Sequence, residues 1–146
     1  MPLADSNVWV ALALSKHVFH TAARARLEQH PPRQPVFFCR STQQSFLRLL
    51  TTTAVLAPFG VPTLTNKAAW SVYEGFLADE RIGWAEEPRG LESTWKRLAA
   101  ARTASPKLWM DAYLAAFAQT GEYQLVTTDK AFKHFKGLEL LVLSIA

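Results

Sequence analysis

Three aspartates lie where predicted helices begin, two of them at the end of a predicted strand, and their carboxylates are the candidate chemistry of this sequence. Asp5 follows a short apolar run, and Asp129 ends a β-prone run that begins at Tyr123. Asp111 lies near the start of an Ala-, Leu- and Phe-rich run that favours a helix and is apolar nearly all round. Carboxylates brought together repel one another unless a proton or a cation neutralises them. Because Mg²⁺ and Mn²⁺ prefer oxygen ligands, the three aspartates predict a divalent metal site that polarises a phosphate and activates water.

Helix capping is the alternative role for the same three residues. Each aspartate lies where a helix would begin, and an acidic side chain there is favoured by capping and by the helix dipole. For any one of them taken alone, capping is the commoner role. Their joint placement favours a shared site. The spacing of the residues in the sequence does not by itself show that the three side chains converge.

The elements that must position the aspartates follow from hydrophobic periodicity. Short apolar strands are predicted over residues 2–4, 36–39, 81–84, 123–129 and 138–143. Helices are predicted after Asp5, over 17–30 up to Pro31-Pro32, from the cap Ser41-Thr42 to Leu50, from Thr65-Asn66 to Leu77, over 91–101, and after Asp111. A strand over 8–14 is the competing prediction for the first of these helices, and residues 51–62 are predicted to form a loop.

Short strands that alternate with helices predict an α/β fold, in which a parallel sheet carries helices on both faces. Functional residues of such sheets gather at the carboxyl ends of the strands. Asp5 and Asp129 would both lie at that edge, and Asp111 would reach it if its helix runs back along the sheet. The predicted fold therefore brings the three aspartates together.

The composition indicates one globular domain spanning residues 1–146. Apolar residues make up 49% of the chain and charged residues 19%, which excludes an intrinsically disordered protein. The net charge of +4 is compatible with a polyanionic partner. The single cysteine, Cys39, excludes an internal disulfide and fits a reducing compartment. No basic segment precedes the apolar N-terminus and no apolar run approaches membrane-spanning length, so we expect a cytoplasmic protein.

Four segments of the chain carry a family resemblance. They are Leu3-Ala4-Asp5-Ser6-Asn7, Ser41-Thr42-Gln43-Gln44-Ser45-Phe46-Leu47-Arg48-Leu49-Leu50, Asp111-Ala112-Tyr113-Leu114-Ala115-Ala116-Phe117-Ala118 and Leu125-Val126-Thr127-Thr128-Asp129-Lys130-Ala131-Phe132. In this order they resemble the PIN domains, and most closely the VapC-type toxins of toxin–antitoxin pairs. Each segment is short, so the specificity of the resemblance comes from their combination across the chain.

The resemblance implies a three-layer α/β/α fold with a central parallel sheet and an Mg²⁺- or Mn²⁺-dependent endoribonuclease activity. Asp5, Asp111 and Asp129 fall on three of the family's acidic positions and would be both the catalytic and the metal-binding residues. The residues that would orient carboxylates or waters around them are Ser6 or Asn7, and Thr127 or Thr128. The resemblance also implies a homodimer, a cognate antitoxin as protein partner, and an RNA substrate, with tRNA, rRNA and mRNA left open.

One acidic position of the family is missing from this chain. Many members carry an acid at the start of the helix after the second strand, where this chain has Gln43, Gln44 and Ser45. A Thr-Glu pair often occupies that place in the toxin group, so Gln43 is the expected position of the missing acid. An amide oxygen orients a metal-bound water but brings no charge and cannot act as a base. A catalytically weak or inactive PIN-like module that binds RNA or a protein is therefore the alternative function.

Basic residues near these segments are candidate RNA contacts, although exposed cations are more often simply solvated. Arg48 would bind a phosphate through two hydrogen bonds. Just beyond Asp129, an RNA backbone would be attracted by Lys130, Lys133, His134 and Lys136. Apolar side chains around Trp9 and over 46–50 are expected either to form core or to contact the antitoxin or a second copy. A receiver-like signalling domain is a further alternative function. It is disfavoured because the sequence lacks the expected pair of residues, an aspartate that ends a central strand and a lysine that follows a later strand.

Overall fold

Five short strands form the centre of the molecule, for which the computed structural model describes residues 1–29 and 34–145. The strands are β1 (Pro2–Ala4), β2 (Val36–Phe38), β3 (Ile82–Trp84), β4 (Gln124–Thr127) and β5 (Leu140–Val142). Every pairing is parallel, and the strand order is β3-β2-β1-β4-β5. β1 is therefore the central strand, and its register with β4 places Ala4 opposite Val126. The parallel sheet predicted from the sequence is confirmed.

Helices cover both faces of this sheet, which gives the predicted three-layer α/β/α architecture. In the described part of the chain they are α1 (Ser6–Ala13), α2 (His20–Glu28), α3 (Arg40–Leu50), α4 (Thr53–Leu56), α5 (Asn66–Leu77), α6 (Leu91–Ala99) and α7 (Leu108–Gly121), with short 3₁₀ turns at Ala57–Phe59 and Lys130–His134. None of the helices within residues 1–29 and 34–145 is long and apolar enough to cross a membrane.

Alternate residues of each strand supply two separate hydrophobic cores. Ala4 and Val126 pack with residues of α1, α3 and α5, whereas Leu3 and Leu125 pack with residues of α6 and α7. Successive side chains of a strand point to opposite faces, so strands of three or four residues are long enough to serve both cores. The uninterrupted apolar runs in the sequence therefore reflect burial on both faces of the sheet.

The helix predicted after Asp5 is confirmed as α1, and the competing prediction of a strand over 8–14 is wrong. Asp5 has extended backbone angles, and its Oδ1 accepts a hydrogen bond from the Ser6 amide at 2.7 Å. An aspartate in this conformation satisfies an amide that the first turn of a helix leaves unpaired. Capping by Asp5 is therefore stronger than the strand tendency of the β-branched residues in α1.

Several element bounds differ from the prediction: α2 begins at His20 rather than at residue 17, and α7 begins at Leu108, three residues before Asp111. The cap of α3 is Cys39 rather than Ser41-Thr42, because the Thr42 hydroxyl accepts a hydrogen bond from the Cys39 amide at 2.9 Å and closes the first turn. The predicted loop over 51–62 contains α4 and a 3₁₀ turn. The predicted helix end at Pro31-Pro32 lies outside the described residues.

Trp9 is the anchor of the core that α1 shares with α3 and α5. Its side chain is 0% exposed and its ring stacks on Phe38, with 3.7 Å between ring centroids. The indole Nε1 donates a hydrogen bond to the Ala4 carbonyl at 3.0 Å. Phe46 and Leu50 are buried in the same core. Trp9, Phe46 and Leu50 are therefore core residues and not a docking surface, whereas Leu47 and Leu49 are only partly buried.

Replacing Trp9 by alanine is expected to lower the free energy of unfolding by about 3–5 kcal/mol, because the missing ring leaves a cavity and an unpaired carbonyl. Trp109→Ala is the matched control, since Trp109 is 56% exposed. This substitution is expected to lower the free energy of unfolding by about 0.5 kcal/mol. Urea denaturation followed by circular dichroism measures both values. Equal losses in the two variants would contradict the role assigned to Trp9.

Candidate active site

The three aspartates singled out in the sequence line one cleft of about 250 Å³ at the carboxyl edge of the sheet. Asp5 directly follows β1, Asp129 lies two residues after β4, and Asp111 is in the first turn of α7. The adjacency of β1 and β4 places the first two side by side. The remaining residues of the cleft lining are Ser6, Asn7, Ser41, Thr42, Ser45, Arg48, Met110 and Leu114.

The Asp5 carboxylate is buried, with 8% of the residue exposed. Burial raises the pKa of Asp5 above its usual value, and the nearby charge of Asp111 raises it further. Hydrogen bonds from the Thr127 hydroxyl and the Ser6 amide lower that pKa and offset part of the effect. The hydrogen bonds within the chain therefore offset only part of the cost of burying the ionised Asp5 carboxylate.

Thr127 forms hydrogen bonds with two of the aspartates. Its buried hydroxyl donates a hydrogen bond to Asp5 Oδ2 at 2.9 Å and accepts one from the Asp129 amide at 3.0 Å. The Ser6 hydroxyl also lies 3.4 Å from Asp5 Oδ1. Where the sequence left Thr127 and Thr128 as alternatives, these hydrogen bonds are made by Thr127.

Asp111 approaches the other two aspartates from α7. Partial burial raises the pKa of Asp111, and the charge of Asp129 raises it as well, while Lys107 acts in the opposite direction. The ion pairs of the described residues are Arg24–Glu28 and Arg81–Asp79, so none of the three cleft aspartates is among them. The cleft therefore concentrates negative charge without a paired cation.

Helix capping and a place in one cleft are found together at two of these residues, Asp5 and Asp129. Asp5 caps α1 through the Ser6 amide, and Asp129 caps the following 3₁₀ turn by accepting a hydrogen bond from the Ala131 amide at 2.8 Å. Asp5 caps the helix with Oδ1 and accepts the Thr127 hydrogen bond with Oδ2, so its role as a cap leaves it in the cleft lining. The two roles considered for the sequence are compatible.

The donor set of the cleft suits an open site for a hard divalent ion rather than a closed cage. No group of three or more His, Cys, Asp or Glu side chains within residues 1–29 and 34–145 is arranged to hold a metal ion. Mg²⁺ usually keeps several waters and is bound through one or two carboxylates. Asp5 and Asp111, with hydroxyl groups beside them, meet that requirement.

The structure does not bring Gln43 into the cleft. Its side chain is buried, at 5% exposure, and accepts a hydrogen bond from Arg40 Nη1 at 2.6 Å. The α3 residues that line the cleft are instead Ser41, Thr42, Ser45 and Arg48. The expectation that Gln43 takes the place of the missing acid is corrected: Ser45, one turn beyond Ser41, occupies the cleft side of α3.

A second and larger cavity, which we call the basic groove, opens beside the cleft. It has a volume of about 1140 Å³ and shares Asp111 and Asp129 with the cleft. Its basic lining residues are Arg97, Lys107, His134 and Lys136. The sequence predicted Lys130, Lys133, His134 and Lys136 as cations near the site; His134 and Lys136 line the groove, whereas Lys130 and Lys133 are exposed and part of neither lining. The one sequence signal for Lys107 is its spacing of four residues from Asp111.

A family profile and a curated relative both match nearly the whole chain. The family described as PIN domain matches residues 3–138. The protein named ribonuclease VapC41, from Mycobacterium tuberculosis strains CDC 1551 / Oshkosh and ATCC 25618 / H37Rv, is 53% identical over 145 residues. This alignment covers 99% of each chain.

Two solved structures share the fold. The crystal structure of VapBC2 from Rickettsia felis, bound to a promoter DNA fragment, aligns with a TM-score of 0.72 at 13% identity and covers 98% of both chains. VapC20 from Mycobacterium tuberculosis, a sarcin-ricin loop cleaving toxin, aligns with a TM-score of 0.65 at 18% identity. That alignment covers 99% of this chain and 100% of the other.

Thr127→Val is expected to raise the pKa of Asp5 and to lower the free energy of unfolding by about 1–3 kcal/mol, because it leaves buried polar groups unpaired. The hydrogen bond stabilises the ionised carboxylate, so the loss should be larger at a pH above the raised pKa of Asp5 than at a pH below it, where the carboxyl group is protonated. Carboxyl NMR titration and urea denaturation, both in EDTA, measure the two effects.

Thr128→Val is the matched control, because Thr128 is the next residue and forms neither hydrogen bond. It is expected to change stability by no more than about 0.5 kcal/mol. An unchanged Asp5 pKa in Thr127→Val would contradict the positioning of Asp5 by Thr127.

Proposed function

The chain belongs to the PIN-domain family, and on that basis we propose that it is the endoribonuclease toxin of a toxin–antitoxin pair. Its identity with a protein named as a ribonuclease supports RNA hydrolysis as the reaction. The observation that carries the proposal is the cleft in which Asp5, Asp111 and Asp129 meet without a paired cation among the described residues.

Asp5 and Asp111 are the proposed ligands of a Mg²⁺ or Mn²⁺ ion, and Asp129 completes the acidic set through water. Their support is the shared lining of the cleft, together with the charge of Asp111, which raises the pKa of Asp5, and the charge of Asp129, which raises the pKa of Asp111. When bound, the ion supplies a polarised phosphate oxygen and a water of lowered pKa.

The side chains around the cleft have proposed positioning roles in the hydrolysis of an RNA phosphodiester. Thr127 and Ser6 hold the Asp5 carboxylate in one orientation. Asp129 orients the water that attacks phosphorus. Arg48 lies on the α3 side of the cleft, where its guanidinium can donate two hydrogen bonds to a phosphate and stabilise the charge that develops there.

A second candidate function is an RNA- or protein-binding module that does not cut RNA. The observation that favours it is the α3 side of the cleft, where Ser41 and Ser45 present hydroxyl groups and no carboxylate. Fewer carboxylates weaken the attraction for a divalent ion. Cleavage of RNA that EDTA abolishes separates the two functions.

The proposed partners are a cognate antitoxin, which the match to the VapBC2 structure supports, and a second copy of the chain. The α5 surface favours the homodimer, because Trp70 and Leu77 are exposed at 48% and 38% and their spacing of seven residues puts them on one face of the helix. The proposed place of action is the cytoplasm, where RNA substrates are found.

Asp5→Asn is expected to reduce cleavage of purified total RNA in Mn²⁺ by roughly 100-fold or more, because an amide loses the charge that holds the ion. Asparagine caps a helix as well as aspartate does, so the fold should persist in circular dichroism. EDTA should abolish cleavage by the unchanged protein.

Glu92→Gln is the control for the loss of one negative charge, since Glu92 is an exposed residue in the first turn of α6. It should cleave at the unchanged rate. Retained Mn²⁺-dependent cleavage by highly purified Asp5→Asn protein would reject the assignment of Asp5.

Ser45→Glu is expected to raise the affinity for Mn²⁺ about tenfold, roughly 1.4 kcal/mol, because it adds a carboxylate on the cleft side of α3. Gln43→Glu adds the same group beside Arg40, outside the cleft, and should leave the affinity nearly unchanged. Isothermal titration of Mn²⁺ into each variant provides the comparison, and a larger gain in Gln43→Glu would show that the missing acid belongs at position 43.

Trp70→Ala is expected to convert a homodimer into a monomer, because it removes the largest exposed apolar side chain of α5. Size-exclusion chromatography with light scattering measures the change, and Trp109→Ala controls for the loss of an exposed tryptophan. A dimer that persists in Trp70→Ala would exclude this face of α5 as the contact.

A further inference from the structure

The first turn of α7, which carries Asp111, is less buried than the rest of that helix. Trp109 and Met110 in this turn are each 56% exposed, whereas residues 114–118 are buried. The residue before the helix is Lys107, whose side chain cannot accept hydrogen bonds from the helix amides. The burial that fixes the middle of α7 therefore does not extend to the turn that carries the acid.

Asp111 also differs from the other two acids of the cleft in its hydrogen bonds. The Asp5 and Asp129 carboxylates each accept a hydrogen bond from a backbone amide, and Asp5 accepts a second one from the Thr127 hydroxyl. Within residues 1–29 and 34–145, no such hydrogen bond is made to the Asp111 carboxylate. The position of this carboxylate therefore depends on the turn that carries it.

Trp95 of α6 contacts this turn directly. Its indole Nε1 donates a hydrogen bond to the Trp109 carbonyl at 2.9 Å. Its ring meets the Trp109 and Tyr113 rings edge-on, with 6.2 and 5.5 Å between ring centroids. Residues four apart are neighbours on one helix face, so Trp95 lies against two successive turns of α7. Asp111 lies about 200° around the helix from Trp109 and thus on the opposite face.

The contacts of Trp95 oppose rotation of the turn about the helix axis. A hydrogen bond weakens steeply as it bends, and edge-to-face aromatic pairs are directional too, whereas the hydrophobic effect is not. The Tyr113 hydroxyl donates a hydrogen bond to Glu87 at 2.7 Å, which holds the Tyr113 ring beside Trp95. Rotation of the turn would break these contacts and move the Asp111 carboxylate relative to the other acids.

We infer that Trp95 is a positioning residue that fixes the Asp111 carboxylate in the cleft and thereby sets the affinity for a divalent ion. A ligand group must be held within about 0.5 Å of its productive position. Loss of a residue that orients a metal ligand typically lowers metal affinity about 10–100-fold. The role toward the ion rests on the proposed function, which makes Asp111 a metal ligand.

Binding of Mn²⁺ to the whole chain, measured up to millimolar concentrations by electron paramagnetic resonance of the free ion, tests the inference. Trp95→Leu removes the hydrogen bond and both ring contacts and is expected to raise Kd about tenfold. Trp95→Phe keeps an aromatic ring without the N–H donor and should give an intermediate Kd. An unchanged Kd in Trp95→Leu would overturn the inference.

Trp84→Leu is the matched control, because Trp84 is also half-buried and its indole Nε1 donates a hydrogen bond to Glu86 at 2.9 Å. Trp84 belongs to β3 and not to the contact between α6 and α7. Its replacement should change Kd less than about twofold, since distant sites act independently. An equal rise in Kd for Trp84→Leu and Trp95→Leu would contradict a specific role of Trp95.

A double variant shows whether Trp95 acts through Asp111. Adding Trp95→Leu to Asp111→Asn should change Kd less than about twofold, because the ligand that Trp95 positions is already lost. A further rise of about tenfold in the double variant would assign Trp95 a general structural role instead.

Amide hydrogen exchange in EDTA examines the same contact without an ion. The amides of Ala112 and Tyr113 bond to carbonyls of the first turn, as in any α-helix. Trp95→Leu is expected to lower their protection about tenfold more than that of the Phe117 and Ala118 amides. Equal losses at all four amides would indicate uniform destabilisation and would overturn the positioning role.

The two measurements together separate failure of the inference from failure of the proposed function. If the unchanged chain binds Mn²⁺ and Trp95→Leu matches Trp84→Leu in both Kd and exchange, the positioning role is wrong and the metal assignment stands. If Trp95→Leu lowers protection at the first turn as expected but the unchanged chain binds no Mn²⁺, the metal assignment of Asp111 is wrong and its placement by Trp95 stands.

Discussion

The burial of the Asp5 carboxylate is the constraint on which the rest of the site depends. β1 is the central strand of the sheet, so the residue that follows it is shielded by neighbouring strands on both sides. A charge in that position is costly unless hydrogen bonds and a counter-charge compensate it. The Ser6 amide and the Thr127 hydroxyl supply hydrogen bonds, yet the pKa of Asp5 remains raised. A carboxylate held in this way is suited to bind a cation.

The same residues stabilise the fold and prepare the site. The caps formed by Asp5 and Asp129 begin helical segments and are each worth about 0.5–2 kcal/mol in comparable proteins. Burial and repulsion between the Asp5 and Asp111 charges act in the opposite direction. The carboxyl edge of a parallel sheet combines helix capping with repulsion between acids, because the chain leaves each strand there to begin a helix and functional residues gather at the same edge. Capping therefore offsets part of the cost of keeping acids together.

The absence of an acid on α3 gives the cleft two different sides. Asp5 and Asp129 follow β1 and β4, and Asp111 belongs to α7, whereas α3 contributes serine hydroxyls and the guanidinium of Arg48. A phosphate that approaches from the α3 side thus meets hydrogen-bond donors and positive charge. Toward the basic groove, the acids are bordered by Lys107 and Lys136 instead. The negative charge is confined to a narrow zone between two surfaces that favour a polyanion.

The sequence by itself determined the strands, the longer helices and the element ends at which the aspartates lie, because apolar run length and helix caps are local properties. It also determined the family, through motifs spread over the whole chain. It could not determine which side of α3 faces the cleft: each residue of shift in a helix start turns its face by about 100°, and the start lies at Arg40 and not after Thr42. Only tertiary structure decided that Ser45 takes the cleft side in place of Gln43, and that Arg97, Lys107 and Lys136 border one groove. Those three cations belong to separate segments, whose approach depends on the packing of α6 against α7 and on long-range contacts that no local pattern records.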